Sequence, residues 1–548
     1  MSAQSPIRAL DNDCLERIFV ELRPKQGLRS LSLTCRWLRD ACSDVLFERC
    51  IAYSNALRHP AEAFPPPHLW RHIRVLRMRG CFIWDPEYSD VESISDSTYQ
   101  AVSDTVGRED ILTDVLYAMP RLSTVVVHGV GERGVPWPIL KVFLSAPQLS
   151  TFVVFGRLFS GETIASKASF SPGAITTFRY VHRNKRVRFT SSPAEKHVVR
   201  TVLERLSPTL HVLHLPSDSV PYRKLDRWDW SLLRELQLRG DGRRLLDYGV
   251  PLISILSRMP RLRSLSLKLA RSGSEPLGAI WPPNSSVKKI PWPELESLIM
   301  TWLHPEEQLL RHLPSTLRDL HLRCWPRRYY PEPSFATYRS LRRLGKQRPD
   351  WVRKTPSASM VLQAIQSCRP ISLQCLDLEY IADSNDIPLL RLVARSYPDL
   401  QYLQLCRYRM SEDLAQAPVV GTILYALRRG DIDTVIQESM SDALSPLRNL
   451  RALRLFLDFN HLLVDSDEWE GYDFDETDNL AVTAARHFAR RASPTLQSIV
   501  VLEADERRVD MREFGVVRDP DGEPSVYWTD SYPPKRADAS SDSDSLEI

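Results

Sequence analysis

The sequence predicts an α/β solenoid of parallel strands and return helices, preceded by a small helical head. Three observations carry that expectation. A short apolar pattern recurs thirteen times between residues 70 and 510, amphipathic helical segments lie between its copies, and residues 7–53 hold a separate run of helical periodicity.

The recurring pattern is an apolar residue, a second three positions on, and a third two positions after that. It is plain in MPRLSTVVV, SPTLHVLHL, MPRLRSLSL, YPDLQYLQL and SPTLQSIVV. Its first apolar positions are Ile73, Leu122, Leu149, Ile175, Leu210, Leu233, Leu262, Leu295, Leu317, Leu373, Leu400, Leu450 and Leu496. The last two apolar residues of a copy, two apart, share one face of a short strand. A helix then buries itself on that face and returns the chain to start the next strand in parallel. Candidate return helices are EDILTDVLYAM, PAEKHVVRTVLERL, YGVPLISILSRM, MVLQAIQSC, NDIPLLRLVARSY and NLAVTAARHFARRA. Successive copies lie 22 to 56 residues apart, and many gaps fall in the twenties and low thirties. With this spacing the region resembles a leucine-rich-repeat solenoid, in which each repeat leans on its neighbours. The Asn or Cys that the family carries eight residues after the first Leu survives only as Cys81, so another set of contacts must stitch the turns.

At 548 residues the chain is too long for one compact core, and several domains or an elongated array are expected. Hydrophobic residues at 43% and charged residues at 26% exclude wholesale disorder. A net charge of +4 gives no global pull toward nucleic acid or anionic membrane. Nine cysteines scattered without a CxxC pair read as buried thiols of a reducing compartment, cytoplasmic or nuclear. No secretory core, membrane contact, bound metal or cofactor is expected.

In the head, Leu15, Ile18, Phe19 and Leu22 fall at i, i+3, i+4 and i+7, one face of a helix. Asp13 with Glu16 fits a capping box, and Pro24 stops the helix. Leu28, Leu31, Cys35, Leu38 and Cys42 keep a helical period, and a third short helical piece holding Leu46, Phe47 and Cys50 is expected. The predicted organisation is therefore a helical domain over 1–53, a linker over 54–69, the repeat array over 70–510 and a C-terminal tail over 511–548, disordered at its end.

The head resembles an F-box in Leu10, Ile18, Phe19, Leu22, Leu28, Leu31, Leu33, Cys35 and Arg36. It departs from the family in three ways: Asp11 replaces the usual Pro, Leu38 occupies the Trp slot beside Trp37, and Lys25–Leu28 carries one extra residue. The resemblance implies a substrate-receptor subunit of a cullin-type (SCF) ubiquitin ligase. The head would dock on a Skp-family adaptor, and through it on a cullin, by way of Leu10, Leu15, Ile18, Phe19, Leu22, Leu28 and Leu31. Catalysis would belong to the recruited conjugating enzyme, and this chain would not itself be an enzyme. The alternative is a repeat scaffold without a ligase role, its helices capping the solenoid.

Residues interleaved between the apolar strand positions are expected on the concave face, where a protein substrate would bind. The candidates are Glu235, Gln237, Arg239, Lys268, Asp319, His321, Arg323, Asp377, Glu379, Tyr402 and Gln404, with Ser264 and Ser266 keeping the face polar. In the early and late copies the same register holds Val126, Val153, Phe155, Val500 and Leu502, an apolar stretch that something must cover. Two insertions stand out. Residues 323–354 hold ten basic and two acidic residues among six aromatic rings, and 458–478 hold nine acidic residues and no Lys or Arg. The first suits nucleic acid, an acidic peptide or simple self-packing, and nucleic acid is not the expectation.

Gly129-Val130-Gly131-Glu132-Arg133-Gly134 matches a dinucleotide-binding fingerprint in form. That motif needs a helix opening at its last glycine, and Pro136 and Pro138 read against one. No phosphate loop, zinc helix or serine elbow is present, and none of the cysteines is singled out as a nucleophile.

Overall fold

The computed structural model describes residues 10–22, 27–53, 64–79, 109–130, 134–156, 158, 170–181, 191–242, 250–270, 277–323, 355–368, 372–408, 431–457, 475–504 and 509–529. The chain divides into two compact units. One joins Met1–Arg183, Thr190–Pro221 and Trp228–Leu232; the other joins Asn184–Phe189, Tyr222–Arg227 and Leu233–Ile548. Both are α/β, with mostly parallel strands compatible with a solenoid-like fold. Sixteen strands occur among the described residues, six in the first unit and ten in the second.

The first unit runs α1 (Asn12–Leu22), α2 (Gly27–Ser32), α3 (Arg36–Leu46), β1 (Arg49–Tyr53), β2 (Val75–Arg79), α4 (Glu109–Tyr117), β3 (Thr124–Val130), α5 (Trp137–Ser145), β4 (Thr151–Gly156), β5 (Thr177–Val181), α6 (Pro193–Leu206) and β6 (Val212–Pro216). Each strand pairs in parallel with the next. The second unit runs α7 (Tyr222–Leu225), β7 (Glu235–Asp241), α8 (Leu252–Leu256), β8 (Ser264–Ala270), β9 (Ser297–Met300), β10 (Asp319–Leu322), α9 (Ala358–Ser367), β11 (Cys375–Ile381), α10 (Asp386–Ser396), β12 (Tyr402–Tyr408), α11 (Asp431–Leu444), β13 (Ala452–Leu457), α12 (Asp475–Arg491), β14 (Ser498–Ala504), β15 (Val509–Arg518) and β16 (Pro524–Trp528). There β7 to β14 are parallel in chain order, and β15 and β16 follow antiparallel.

The apolar pattern explains these strands. All thirteen first apolar residues are buried just ahead of strands β2 to β14, and the residues three and five positions later are buried too. Among those later positions the most exposed, Leu322, shows only 3% of its surface. A strand whose every second residue is buried in this way commits the intervening residues to its other face.

Register is set where each strand begins. One carbonyl accepts the amides of two consecutive residues of the next copy: Glu48 takes Arg74 and Val75, Arg74 takes Ser123 and Thr124, and Ser123 takes Ser150 and Thr151. The same fork recurs in the second unit from Arg234 to Arg451, with all these bonds at 2.7–3.1 Å across both units. The turns are stitched by side chains of several kinds rather than by an Asn ladder. Glu307 is buried and accepts the amides of Ile280 at 2.7 Å and of Trp281 and Leu309 at 3.0 Å. Thr301 donates to the Leu269 carbonyl at 2.6 Å and accepts the Leu269 amide at 3.1 Å. Asp218 takes the Ser191 amide at 2.9 Å, and Asp383 takes that of Ser359 at 3.0 Å.

Several expectations need correction. The head is not a separate helical domain ending at 53: α3 stops at Leu46, and residues 49–53 are strand β1, in register with β2. Cys50 and Ala52 are buried there while Arg49, Ile51 and Tyr53 are exposed, a two-residue period that helical reading of so short a segment overlooks. The described end of the expected linker is structured, since Phe64 is buried and Pro67–His72 form a 3-10 turn. No helix opens at Gly134, the last glycine of the fingerprint; helix α5, which the sequence does not announce, starts three residues on at Trp137, with Pro136 just before it and Pro138 in its first turn, where proline is tolerated. Helix α11 was also unforeseen, and α8 spans only five residues of the expected twelve-residue segment. The tail expected from 511 is instead the hairpin β15–β16, turned by Asp519-Pro520-Asp521-Gly522 with Gly522 at φ 87°. The insertion residues 324–354 and 458–474 and the end from 530 lie outside the described residues; the last part of the acidic segment, from Asp475, is the first turn of α12.

The Glu307 staple is directly testable. Glu307→Ala leaves three buried amides without their acceptor and should lower stability by about 3 kcal/mol in denaturant unfolding, whereas Glu307→Gln, which keeps one carbonyl oxygen, should lose less.

Candidate interaction surfaces

Two surfaces emerge, the helical head and the second face of the strands. In the head, Leu15 and Phe19 of α1 meet Leu28 of α2 and Leu38, Cys42 and Val45 of α3 in one buried cluster. Leu22, Leu31, Trp37 and Leu46 pack partly buried against it. The expected docking stripe is therefore divided. Leu15, Phe19 and Leu28 belong to the head's own interior and are not free to meet a partner, because three short helices must first close a core among themselves. Leu10 and Ile18 stay exposed, at 40% and 38%, and Leu33, just after α2, reaches 72%. The cap of α1 is Asp11, whose carboxylate accepts the Cys14 amide at 2.7 Å, rather than Asp13. That bond draws the Asp11 carboxyl below its ordinary range.

Asp44 of α3 ties the head to the chain beyond it. Its Oδ1 meets His72 Nδ1 and lies 3.0 Å from Arg121 Nη1, and these partners, His72 foremost, hold the carboxyl below its usual value. The Glu48 carbonyl fork then leads straight into β1 and β2.

In the second unit, the eleven candidate substrate residues lie on β7, β8, β10, β11 and β12 or immediately beyond β10, at the positions that alternate with the core rows. Register brings His321 opposite Asp377, Asp377 opposite Gln404, and Arg239 opposite Lys268. Asp377 is fully buried and is gripped from two sides, by Arg323 and by His321 Nδ1 at 3.2 Å. Tyr402 donates to Gln404 at 3.0 Å, and Arg454 stands 5.6 Å over the Tyr402 ring. Glu235, Gln237 and Arg239 are half-buried on β7.

A polar face able to meet a protein substrate was expected here, and part of it is closed. Lys268, Asp377, Glu379 and Gln404 are all buried, with Lys268 keeping only 7% exposure. For Arg323, burial pulls the guanidinium down, but the charges of Asp377, Cys406 and Glu379 outweigh it and raise it above its ordinary value. Burial raises the Asp319 carboxyl, against weaker opposing pulls from His321 and Arg318. Of the apolar positions foreseen in early and late copies, Val126, Val153 and Val500 are buried, and Phe155, half-buried, stacks on His128 at 4.5 Å.

Sequence reading passed over Cys375 and Arg454, though Cys375 follows Leu373 by two residues just as Asp319 follows Leu317. Cys375 Sγ lies 4.0 Å from His321 Nε2, and His321 in turn faces Asp377, the order of a nucleophile, base and orienting acid. Chemically the thiol is in the wrong state: burial, with Asp319 and Asp377 nearby, pushes it up to about 12, so it stays protonated at neutral pH. The cluster is suited to polar recognition. Among the described residues no group of His, Cys, Asp and Glu is arranged to hold a metal ion, and no helix is long and apolar enough to cross a membrane. No family model matches the sequence, and no curated protein matches it.

Two measurements test these protonation states. Iodoacetamide at pH 7.5 should alkylate the exposed Cys35 while sparing Cys375, read by peptide mass spectrometry. Because the Asp319 carboxyl is raised on folding, its ionisation opposes the folded state as pH rises through that value. Asp319→Asn should therefore raise Tm at pH 7, with the gain disappearing below about pH 4, where the unfolded carboxyl is also protonated.

Proposed function

We propose that this chain is a substrate-receptor subunit of a cullin-type ubiquitin ligase, with an F-box-like head that docks on a Skp-family adaptor and leucine-rich repeats that bind a protein substrate. The observation that carries the reading is the exposed apolar set Leu10, Ile18 and Leu33 on a head whose own core is already complete. Side chains of that size left in water on a unit that needs no further core suit a partner helix. The half-buried polar side chains Asp319, His321 and Tyr402 support substrate recognition, and the chain's part in ubiquitin transfer would be placement alone.

A second reading, a repeat scaffold capped by its helices, is favoured by the Asp44 contacts and the Glu48 fork, which bind the head to the strands next to it. Co-purification with a Skp-family adaptor separates the two. Wild-type chain should retain the adaptor, and Leu10→Asp with Ile18→Asp should lose it at unchanged Tm. Phe19 is unsuitable for this purpose, since an aspartate there would break the head itself. A wild-type chain that captures no adaptor rejects the ligase reading and leaves the scaffold.

A further inference from the structure

The strands of the first unit carry a charge pattern that the second unit lacks. No Asp or Glu occurs anywhere in β1 to β6, while Arg49, Arg77, Arg79 and Arg179 all lie on the face that alternates with the core. The second unit's strands mix both signs, as with Asp319, Asp377 and Glu379 beside Arg239 and Lys268.

The arginines are grouped. Ile51 of β1 pairs with Arg77 and Tyr53 pairs with Arg79, so Arg49 sits diagonally from Arg77, and Arg79 stands two residues along the same strand. Burial first, then the charges of Arg49 and Arg79, lower Arg77 from its ordinary value. Its Nε is shut away from solvent without a hydrogen-bond partner, and the Nε of Arg179 is in the same condition. Arg77 and Arg179 also share one row, through Val126 and Val153. Three strand spacings separate them, about 14 Å.

A guanidinium Nε closed off without an acceptor destabilises a fold even on a half-buried arginine, and cations held near one another add repulsion. A fold keeps such an arrangement where an anion from outside completes it. We propose that this face is a docking site for an acidic peptide. One carboxylate would meet the Arg49–Arg77–Arg79 group and another Arg179, about four residues further along an extended segment at roughly 3.3 Å per residue. Between the two acids the segment would cross Val126 and Val153, which are already buried and offer it no side-chain contact. The apolar middle of the row argues against a nucleic-acid track, which needs cations along its whole length. The site lies outside the candidate residues of the second unit and does not depend on adaptor docking by the head.

The test is fluorescence anisotropy with the full chain and a fluorescein-labelled hexaglutamate peptide, against labelled hexalysine and a twelve-residue oligothymidine. Hexaglutamate should bind and hexalysine should not. Arg77→Gln and Arg179→Gln should each weaken binding roughly tenfold or more, Arg77→Lys should keep part of it, and Arg200→Gln, an exposed change on α6, should leave it unchanged. Arg77→Met should abolish binding yet raise Tm, because it removes an unpaired buried donor. The proposal is overturned if hexaglutamate does not bind, if both glutamine variants bind like wild type, or if Arg77→Met lowers Tm. Oligothymidine binding more tightly than hexaglutamate also overturns it and assigns the face to nucleic acid.

Discussion

One carbonyl accepting two consecutive amides at the mouths of strands β2 to β6 and β8 to β14 is the contact on which the remaining geometry depends. It fixes where a strand starts relative to its predecessor, and a slip of a single residue would exchange the two faces. Given that register, Leu236, Leu265, Leu298 and Leu320 can only be core, and Gln237, Ser266, Ile299 and His321 can only be the second face. Every side chain of the second face that could recognise a partner inherits its position from this fork. The fork begins at Glu48, which is why the head grades into strand β1 without an intervening linker.

The repeat was legible because burial imposes a period. A residue that must be apolar at the start, three and five positions later leaves a trace that survives gaps as different as those after Leu295 and Leu317. What escaped notice lacked that trace or carried a competing one. Strand β1 has only Cys50 and Ala52 facing inward, too small and too few to announce a strand beside three helices. Helix α5 follows directly on Pro136 and holds Pro138 in its first turn, which masks its start. The hairpin β15–β16 pairs antiparallel and so breaks the repeat, although Asp519-Pro520-Asp521-Gly522 is a turn signal with a mechanism. Gly515 faces Tyr527 so closely that a Cβ there would meet the ring, a constraint that no single-sequence pattern expresses.

The candidate surfaces were legible in position more than in state. Alternation placed all eleven substrate candidates on one face, yet it could not say that Asp377 and Lys268 would be buried, since that depends on neighbouring strands far apart in sequence. For the head, helical periodicity identified the apolar stripe but not its division. Leu15 and Phe19, four residues apart, close the internal core, while Ile18 on the same helix remains outside. The two units also differ in chemistry, one face carrying both charge signs and the other only cations.

The most direct test of this account is residue-resolved hydrogen–deuterium exchange across 45–53 and 73–79. If the Glu48 fork makes β1 the first strand of the sheet, the amides of Arg74 and Val75, and those of Cys50 and Ala52 in β1, should exchange as slowly as the interior of β2. Complete exchange of Cys50 and Ala52 at the earliest time points, with β2 protected, would mean that the head is merely tethered to the strands and would contradict the register argument at its origin.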